Sequence, residues 1–178
     1  TLSSSSAASD VYKRQVQDTR EKKPLRFPAN LRVLDDHTAP HRVRMVTVRL
    51  HTVKEKLDTG DYLLRGFEST TIIERKGSLR EVANNCLSRA DRPRFVECLT
   101  RLRDSCKHPV IMLEGTPLSM ARVQRGVQEP DAAVDALLRL VREYRIELLL
   151  LPGSTHSHRR ACANWVARAL IAGALNDA

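Results

Sequence analysis

The chain has 178 residues, of which 42% are hydrophobic and 29% are charged, and its formal net charge is +9. This length and composition are typical of a single folded domain, and no uninterrupted apolar run is long enough to cross a bilayer, so a membrane partner is not expected. The positive charge favours a polyanionic partner, above all nucleic acid. Because only 4% of the residues are aromatic, we expect contacts with phosphates rather than the base-stacking surfaces of single-strand-binding proteins.

Residues 1–15 are rich in serine and show no apolar periodicity. They resemble a translated sequencing-adapter tail, and a native flexible leader is the alternative interpretation. Under either interpretation we expect this segment to lie outside the fold. The predicted domain therefore spans residues 16–178.

Strands and helices alternate along the rest of the chain. After a short extended segment at Val16, strands are predicted at 31–34, 46–50, 60–64, 70–74, 109–113 and 146–151, from alternating or continuous apolar patterns. The early strands follow one another and are expected to be antiparallel. The later, uniformly apolar strands alternate with helices, which indicates a parallel portion covered on both faces. The pattern predicts one mixed α/β domain.

The helices have clear sequence signals. Ser78 and Glu81 form a Ser-x-x-Glu capping box ahead of an apolar stripe. A second helix is expected around 95–106, and Asp131 is expected to cap a third. The last helix is predicted to turn one set of residues inward: Cys162, Trp165, Val166, Ala169 and Leu170.

The cysteines and histidines lack the close spacing of a metal site. Most of the cysteines lie on apolar helical faces, so we expect buried free thiols. A surface position is expected for the histidines, with phosphate contact as an alternative for His156 and His158.

Two acidic residues and a lysine carry the chemistry of the central segment. Asp61 begins one predicted strand, and Glu74 and Lys76 end the next. If these strands pair as a hairpin, the two carboxylates meet at one end of the sheet, where hard oxygen ligands bind Mg²⁺ or Mn²⁺. Glu74 and Lys76 are two residues apart and project to the same face, while Arg75 points away. Taken alone, an acid followed by Glu-x-Lys also fits a solvated strand end with a surface ion pair.

The context of this pattern resembles the XPF-type endonuclease family of the PD-(D/E)XK superfamily. The carriers of the resemblance are Gly60-Asp61-Tyr62, Ile73-Glu74-Arg75-Lys76, the upstream acidic motif Asp18-Thr19-Arg20-Glu21, Arg94-Phe95 and the segment 109–114. The resemblance runs from about Val16 to the final helix. It implies a restriction-endonuclease-like fold, a mixed β-sheet flanked by helices on both faces.

The resemblance also implies a division of roles. Asp61 and Glu74 would bind the metal, Lys76 would serve the attacking water, and Asp18 would be a further ligand or near-ligand. Arg20, Glu21 and Arg75 would support the site.

The chain departs from the family where an aspartate usually stands four positions after the lysine. Arg80 occupies that position, and Glu81 follows it. Either Gly77 is an insertion and Glu81 takes the acidic role, or that carboxylate is absent. As the capping partner of Ser78, Glu81 also has a purely structural explanation.

Several arginines are candidates to hold the DNA backbone, because a guanidinium matches phosphate geometry. The predicted set is Arg80, Arg94, Arg122 and Arg125. Contacts of this kind position a duplex without reading its sequence, and a solvated helix face is the alternative for each arginine.

The combined expectation is a metal-dependent DNA endonuclease selective for flaps, forks or junctions, acting in repair, recombination or mobile-element replication. An inactive DNA-binding or scaffold subunit and a sequence-specific restriction-type nuclease are the alternatives. Larger family members carry a tandem helix-hairpin-helix module and dimerise, so a homodimer or a partner subunit is also expected. A compact phage, prophage or bacterial form is expected, cytoplasmic in that case and nuclear in a eukaryote.

Overall fold

The computed structural model describes residues 11–21, 24–34, 45–152 and 155–176. Seven strands and five helices are formed by these residues. In chain order they are β1 (Val11–Asp18), β2 (Asn30–Leu34), β3 (Met45–Glu55), β4 (Tyr62–Leu64), β5 (Thr71–Lys76), α1 (Leu79–Leu87), α2 (Arg92–Ser105), β6 (His108–Glu114), α3 (Pro117–Met120), α4 (Pro130–Glu143), β7 (Glu147–Leu151) and α5 (His156–Asn176).

The strands form one mixed sheet in the order β2-β3-β1-β4-β5-β6-β7. β5, β6 and β7 are parallel, as their continuous apolar sequences predict. β4 pairs with β1 and with β5 in antiparallel fashion, and β2 with β3 likewise, but β1 runs parallel to β3. The prediction that the early strands are antiparallel is therefore wrong for β1 and β3. Between these two parallel strands the chain forms β2, which lies on the far side of β3.

Each face of the sheet has its own apolar core. Along β5, Ile72 packs in the core that includes residues of α1, α2 and α4, whereas Ile73 packs in the core that includes α5. This alternation follows from the period of two in a strand. Helices cover both faces, and the predicted α/β class is confirmed.

Part of the segment predicted to lie outside the fold belongs to the sheet. Val11 to Gln15 form the first part of β1, in register with β3 from Val48 to Thr52. Gln15 is fully buried. Sheet pairing uses main-chain hydrogen bonds, so a serine-rich or basic sequence can extend a strand without an apolar pattern. Residues 1–10 lie outside the described residues, and the origin of the segment as an adapter tail stays a prediction.

A few side chains do not follow the predicted helical stripes. Trp165, expected to point inward, is 58% exposed. Leu87 and Leu138, which continue the apolar spacing of α1 and α4, are also exposed. α4 begins at Pro130 with Glu129 as its N-cap, so Asp131 lies within the first turn instead of capping it. Within the described parts of the chain, no helix has the length and apolar character needed to span a membrane.

Candidate active site

Asp61 is fixed to β5 by main-chain contacts. Gly60 has a φ of +73°, and a side chain at this position would lie 2.2 Å from Ile72 Cγ2, so the turn requires glycine. The Asp61 amide donates to the Ile73 carbonyl at 2.8 Å, and its Oδ2 accepts a hydrogen bond from the Arg75 amide at 2.8 Å. The Gly-Asp pair thus places one carboxylate beside the end of β5, as the hairpin pairing predicts.

Asp61 and Glu74 form the predicted acidic pair. Burial and the charge of Glu74 raise the pKa of Asp61 to about 7, against the opposing effects of the Arg75 amide and the Lys76 charge. Two carboxylates that repel each other in a half-buried site are a natural environment for a divalent cation, which relieves the repulsion.

This pKa makes the stability of the metal-free chain depend on pH. A carboxyl group that binds its proton more tightly in the folded state destabilises the fold as it ionises, so the free energy of unfolding should fall as pH rises from about 4 to about 7. We expect the Asp61 contribution to be on the order of 2–4 kcal/mol, from 1.36 kcal/mol per pKa unit. Urea unfolding in EDTA at pH 5 and pH 8, with Asp61→Asn as reference, measures it; parallel pH profiles for the two proteins would refute the assignment.

Lys76 is buried next to the acidic pair. Its Nζ lies 2.8 Å from Glu74 Oε1 and 5.2 Å from the centre of the Phe95 ring. Burial acts to lower the pKa of Lys76, but the charge and hydrogen bond of Glu74 outweigh it and the pKa is raised. Lys76 therefore stays an ammonium group, which can hold and polarise a water molecule but does not accept its proton.

Glu81 supports Lys76 from the first turn of α1. The hydroxyl of Ser78 accepts from the Glu81 amide at 3.2 Å, and Glu81 Oε2 accepts from the Gly77 amide at 2.9 Å. Its other carboxylate oxygen lies 3.7 Å from Lys76 Nζ. Of the two contacts of the predicted capping box, the one from the Glu81 amide to Ser78 is present. The Glu81 carboxylate accepts from the Gly77 amide instead of the Ser78 amide, and in this arrangement Glu81 fixes the turn that carries Lys76.

Asp18 ends β1 beside Asp61, since the Asp18 amide donates to the Asp61 carbonyl at 2.9 Å. Its carboxylate accepts hydrogen bonds from the amide and the guanidinium of Arg20. Burial acts to raise the pKa of Asp18, but the Arg20 contacts outweigh it and the pKa is lowered. The carboxylate is thus ionised and occupied by Arg20, while its predicted role as a metal ligand stays a prediction.

Arg75 points to the opposite face of the sheet, as its position between Glu74 and Lys76 predicts. Its guanidinium contacts Glu21 Oε1 at 3.0 Å and Glu114 Oε1 at 2.6 Å. All three side chains are less than 10% exposed. Arg75 and Glu21 are predicted to support the site. They form a buried ion-pair cluster with Glu114, which links the segment after β1 to β5 and β6.

Removing the arginine from this cluster should destabilise the fold. Arg75→Met removes the cation that Glu21 and Glu114 share, and we expect a loss of about 3–5 kcal/mol in the free energy of unfolding at pH 8. Adding Glu114→Gln should recover part of it. Wild-type stability in the single variant would contradict the cluster.

The four predicted DNA-contacting arginines are all exposed: Arg80, Arg94, Arg122 and Arg125. Arg80 extends from α1 toward the loop before α4, since a side chain at Gly126 would lie 3.0 Å from its Nε. Arg80 and Arg125 are therefore near each other in space. Their contact with DNA stays a prediction.

Two residues of α2 near the site were not predicted to belong to it. Phe95 covers Lys76, and burial and the Glu74 charge raise the pKa of Cys98 to about 11. The apolar stripe of α2 predicts both as core residues, and nothing in the sequence indicates that this core ends against Lys76.

The residues present fit a divalent metal only as a two-carboxylate site. Asp61 Oδ2 and Glu74 Oε1 are engaged by the Arg75 amide and Lys76, so the second oxygen of each carboxylate would bind the cation. Among the described residues, at this site or at any other, no group of three or more histidine, cysteine or acidic side chains is arranged to hold a metal ion. Mg²⁺ suits such a site, because it usually keeps several waters and binds one or two carboxylates together with substrate phosphate.

Comparison with known proteins identifies the family. The sequence matches the ERCC4 domain over residues 17–168, whereas no curated protein matches it. XPF from Aeropyrum pernix has a similar fold, with a TM-score of 0.53 and 20% identity over 89% of this chain and 67% of that chain. XPF from Aeropyrum pernix in complex with DNA has a TM-score of 0.57 and 21% identity, over 93% of this chain and 65% of that chain.

The chain thus spans about two thirds of the length of the XPF chains it matches. The restriction-endonuclease-like fold expected from the XPF resemblance is confirmed. Because the ERCC4 match covers residues 17–168, which is most of the chain, the chain belongs to the ERCC4 domain family.

Proposed function

We propose that this protein is a divalent-metal-dependent endonuclease that hydrolyses phosphodiester bonds in DNA, with a preference for flaps, forks or junctions. The observation that carries the proposal is the juxtaposition of Asp61, Glu74 and a charged Lys76 at the end of β5. The similarity to an XPF that was solved with DNA supports the choice of DNA. The positive net charge of +9 agrees with it.

The chemistry follows from the charges at the site. A bound Mg²⁺ or Mn²⁺ would lower the pKa of a water molecule that it binds and would neutralise charge on the phosphate. Asp61 and Glu74 would hold the ion through their second oxygens. Lys76, held at Glu74 and covered by Phe95, would donate a hydrogen bond to the attacking water and fix its direction. Because the pKa of Lys76 is raised, its ammonium group would act as a hydrogen-bond donor and not as the proton acceptor.

Exposed arginines on α1 and in the loop before α4 would hold the DNA backbone. Arg80 and Arg125 are near each other, and Arg94 lies in the first turn of α2, the helix that carries Phe95. The helices α1, α2 and α4 cover the face of the sheet toward which Lys76 projects. We propose that these arginines contact phosphates on either side of the bond that is cut.

A second copy or a partner subunit is also part of the proposal. β7 is an edge strand of the sheet, and beside it lies an apolar groove of about 240 Å³ that includes Leu138 and Leu150. Both leucines are exposed, at 47% and 38%. An apolar edge of this kind is a frequent protein–protein contact surface.

Cleavage of labelled flap, fork and plain duplex DNA with Mg²⁺ or Mn²⁺ tests the function. Metal-dependent cutting of flaps or forks in preference to the duplex is the expected result. Cutting of one duplex sequence would favour the restriction-type alternative. If the folded protein binds DNA and cuts none of the substrates with either metal, the proposal fails and the scaffold alternative takes its place.

A further inference from the structure

A basic cleft lies on the face of the sheet opposite Lys76. It has a volume of about 430 Å³ and lies between the segment 24–29 and the start of α5. Its lining includes Pro24, Arg26, Phe27 and Ala29 of that segment and Arg159 and Arg160 of α5. Among the described residues, the lining has three arginines and no carboxylate, which favours an anion as the ligand. The volume is within the usual range for small ligands.

The walls of the cleft are held by contacts to the core. Arg159 Nη2 donates to the Pro24 carbonyl at 2.9 Å, which ties α5 to the segment across the cleft. The Leu25 amide donates to Tyr62 Oη at 3.3 Å, and the Leu50 amide to the Ala29 carbonyl at 2.8 Å. A binding site formed in advance of its ligand avoids the cost of ordering on binding.

The cleft also presents one fixed aromatic ring. Phe27 is half-buried and packs edge-on against Tyr62, with ring centroids 5.4 Å apart and an interplanar angle of 67°. Arg26 and Arg160 are exposed beside it. Arginine side chains can bind the phosphate of a nucleotide, and an aromatic ring beside them can stack on its base. The cleft therefore suits a nucleotide.

The cleft is close enough to the active site to receive the same DNA. Six residue positions separate Asp18, beside Asp61, from Pro24 at the cleft, so the two ends are at most roughly 22 Å apart. That span corresponds to about six nucleotides of a stacked strand at 3.4 Å each. The Arg75 side chain lies on the cleft's face of the sheet, where its charge and that of Arg159 both act on Cys162.

We infer that this cleft binds a nucleotide of the single-stranded arm of the DNA, a few nucleotides from the scissile phosphate. Arg26 and Arg160 contact its phosphates, and Phe27 stacks on a base. The inference rests on the proposed function for the identity of the strand, and it gives a physical origin for selection of branched over plain duplex DNA.

Binding of a fluorescent duplex with a single-stranded arm, and of the blunt duplex, tests this site by anisotropy in EDTA. The variant Arg26→Ser/Arg160→Ser should bind the armed DNA about tenfold more weakly and reduce its salt dependence by a slope of about 1.4, at 0.7 per phosphate contact of a single strand. The blunt duplex should be bound as by the wild type. Phe27→Leu keeps an apolar side chain against Tyr62 and should weaken arm binding about fivefold or more.

The matched control is Arg32→Ser/Arg139→Ser, which removes the same charge from exposed positions on β2 and α4 outside the cleft. Equal binding of armed DNA by the two double variants would overturn the inference. So would a deoxynucleoside monophosphate that binds the wild type as tightly as the armed DNA, because the cleft would then take free nucleotides. Arm binding through the cleft by a wild-type protein that cuts no DNA would support this site and refute the proposed function separately.

Discussion

Asp61→Asn should abolish cleavage and at the same time stabilise the metal-free protein. The substitution removes one of the two carboxylates that would hold the ion, and we expect a loss of about a thousandfold or more in cleavage rate. The amide oxygen can still accept from the Arg75 amide, and the repulsion with Glu74 that raises the pKa of Asp61 is gone. The free energy of unfolding in EDTA at pH 8 should therefore rise by about 1–3 kcal/mol.

The control for this variant is Asp58→Asn, an exposed aspartate in the same loop. It should leave cleavage unchanged and the free energy of unfolding within about 0.5 kcal/mol. Both quantities are measured on the same preparations, by flap cleavage with Mn²⁺ and by urea unfolding. If Asp61→Asn lowers activity only in proportion to a loss of folded protein, Asp61 is a structural residue.

Lys76→Met should reduce both activity and stability, in contrast to Asp61→Asn. Methionine fills the space beneath Phe95 but leaves Glu74 without the ammonium group 2.8 Å away, next to Asp61. Breaking a buried ion pair on one side costs about 3–5 kcal/mol. The loss should be smaller at pH 5, because the raised pKa of Asp61 keeps that carboxyl group protonated there and removes its repulsion with Glu74. We expect cleavage to fall by about a hundredfold at saturating metal, because the attacking water loses its positioning donor.

Lys56→Met, at an exposed lysine before the active-site loop, is the control and should change neither quantity. Single-turnover cleavage over a range of Mn²⁺ concentrations separates positioning from metal binding. A defect in Lys76→Met that high Mn²⁺ fully restores would show that Lys76 acts on metal affinity and not on the water.

The sequence predicts the central part of the site because its determinants are local. Asp61 directly precedes β4, and Glu74 and Lys76 lie on β5, the antiparallel neighbour of β4, so a period of two and one hairpin suffice to bring them together. Asp18 joins them through β1, whose pairing with β4 is non-local. Its place beside Asp61 follows from the family motif and not from periodicity.

The remaining contacts depend on distant pairing that no local pattern contains. The partners of Arg75, Glu21 and Glu114, are 54 and 39 residues away in the chain. Their meeting depends on the order of strands in the sheet. Trp165 fits an inward stripe by spacing, yet it is exposed because α5 packs on the sheet through Cys162, Val166 and Leu170. Helical periodicity predicts that a helix has an apolar face, but it does not predict which residues at the border of that face are buried.

Binding of Mn²⁺ decides most directly whether Asp61 and Glu74 hold the ion. Free Mn²⁺ is followed by electron paramagnetic resonance during titration of the wild type, Asp61→Asn, Glu74→Gln and Asp58→Asn at pH 8. The expected result is one ion per chain for the wild type and Asp58→Asn, with affinity at least about tenfold weaker in the other two variants. Equal uptake by all four proteins would place the metal elsewhere and contradict the site described above.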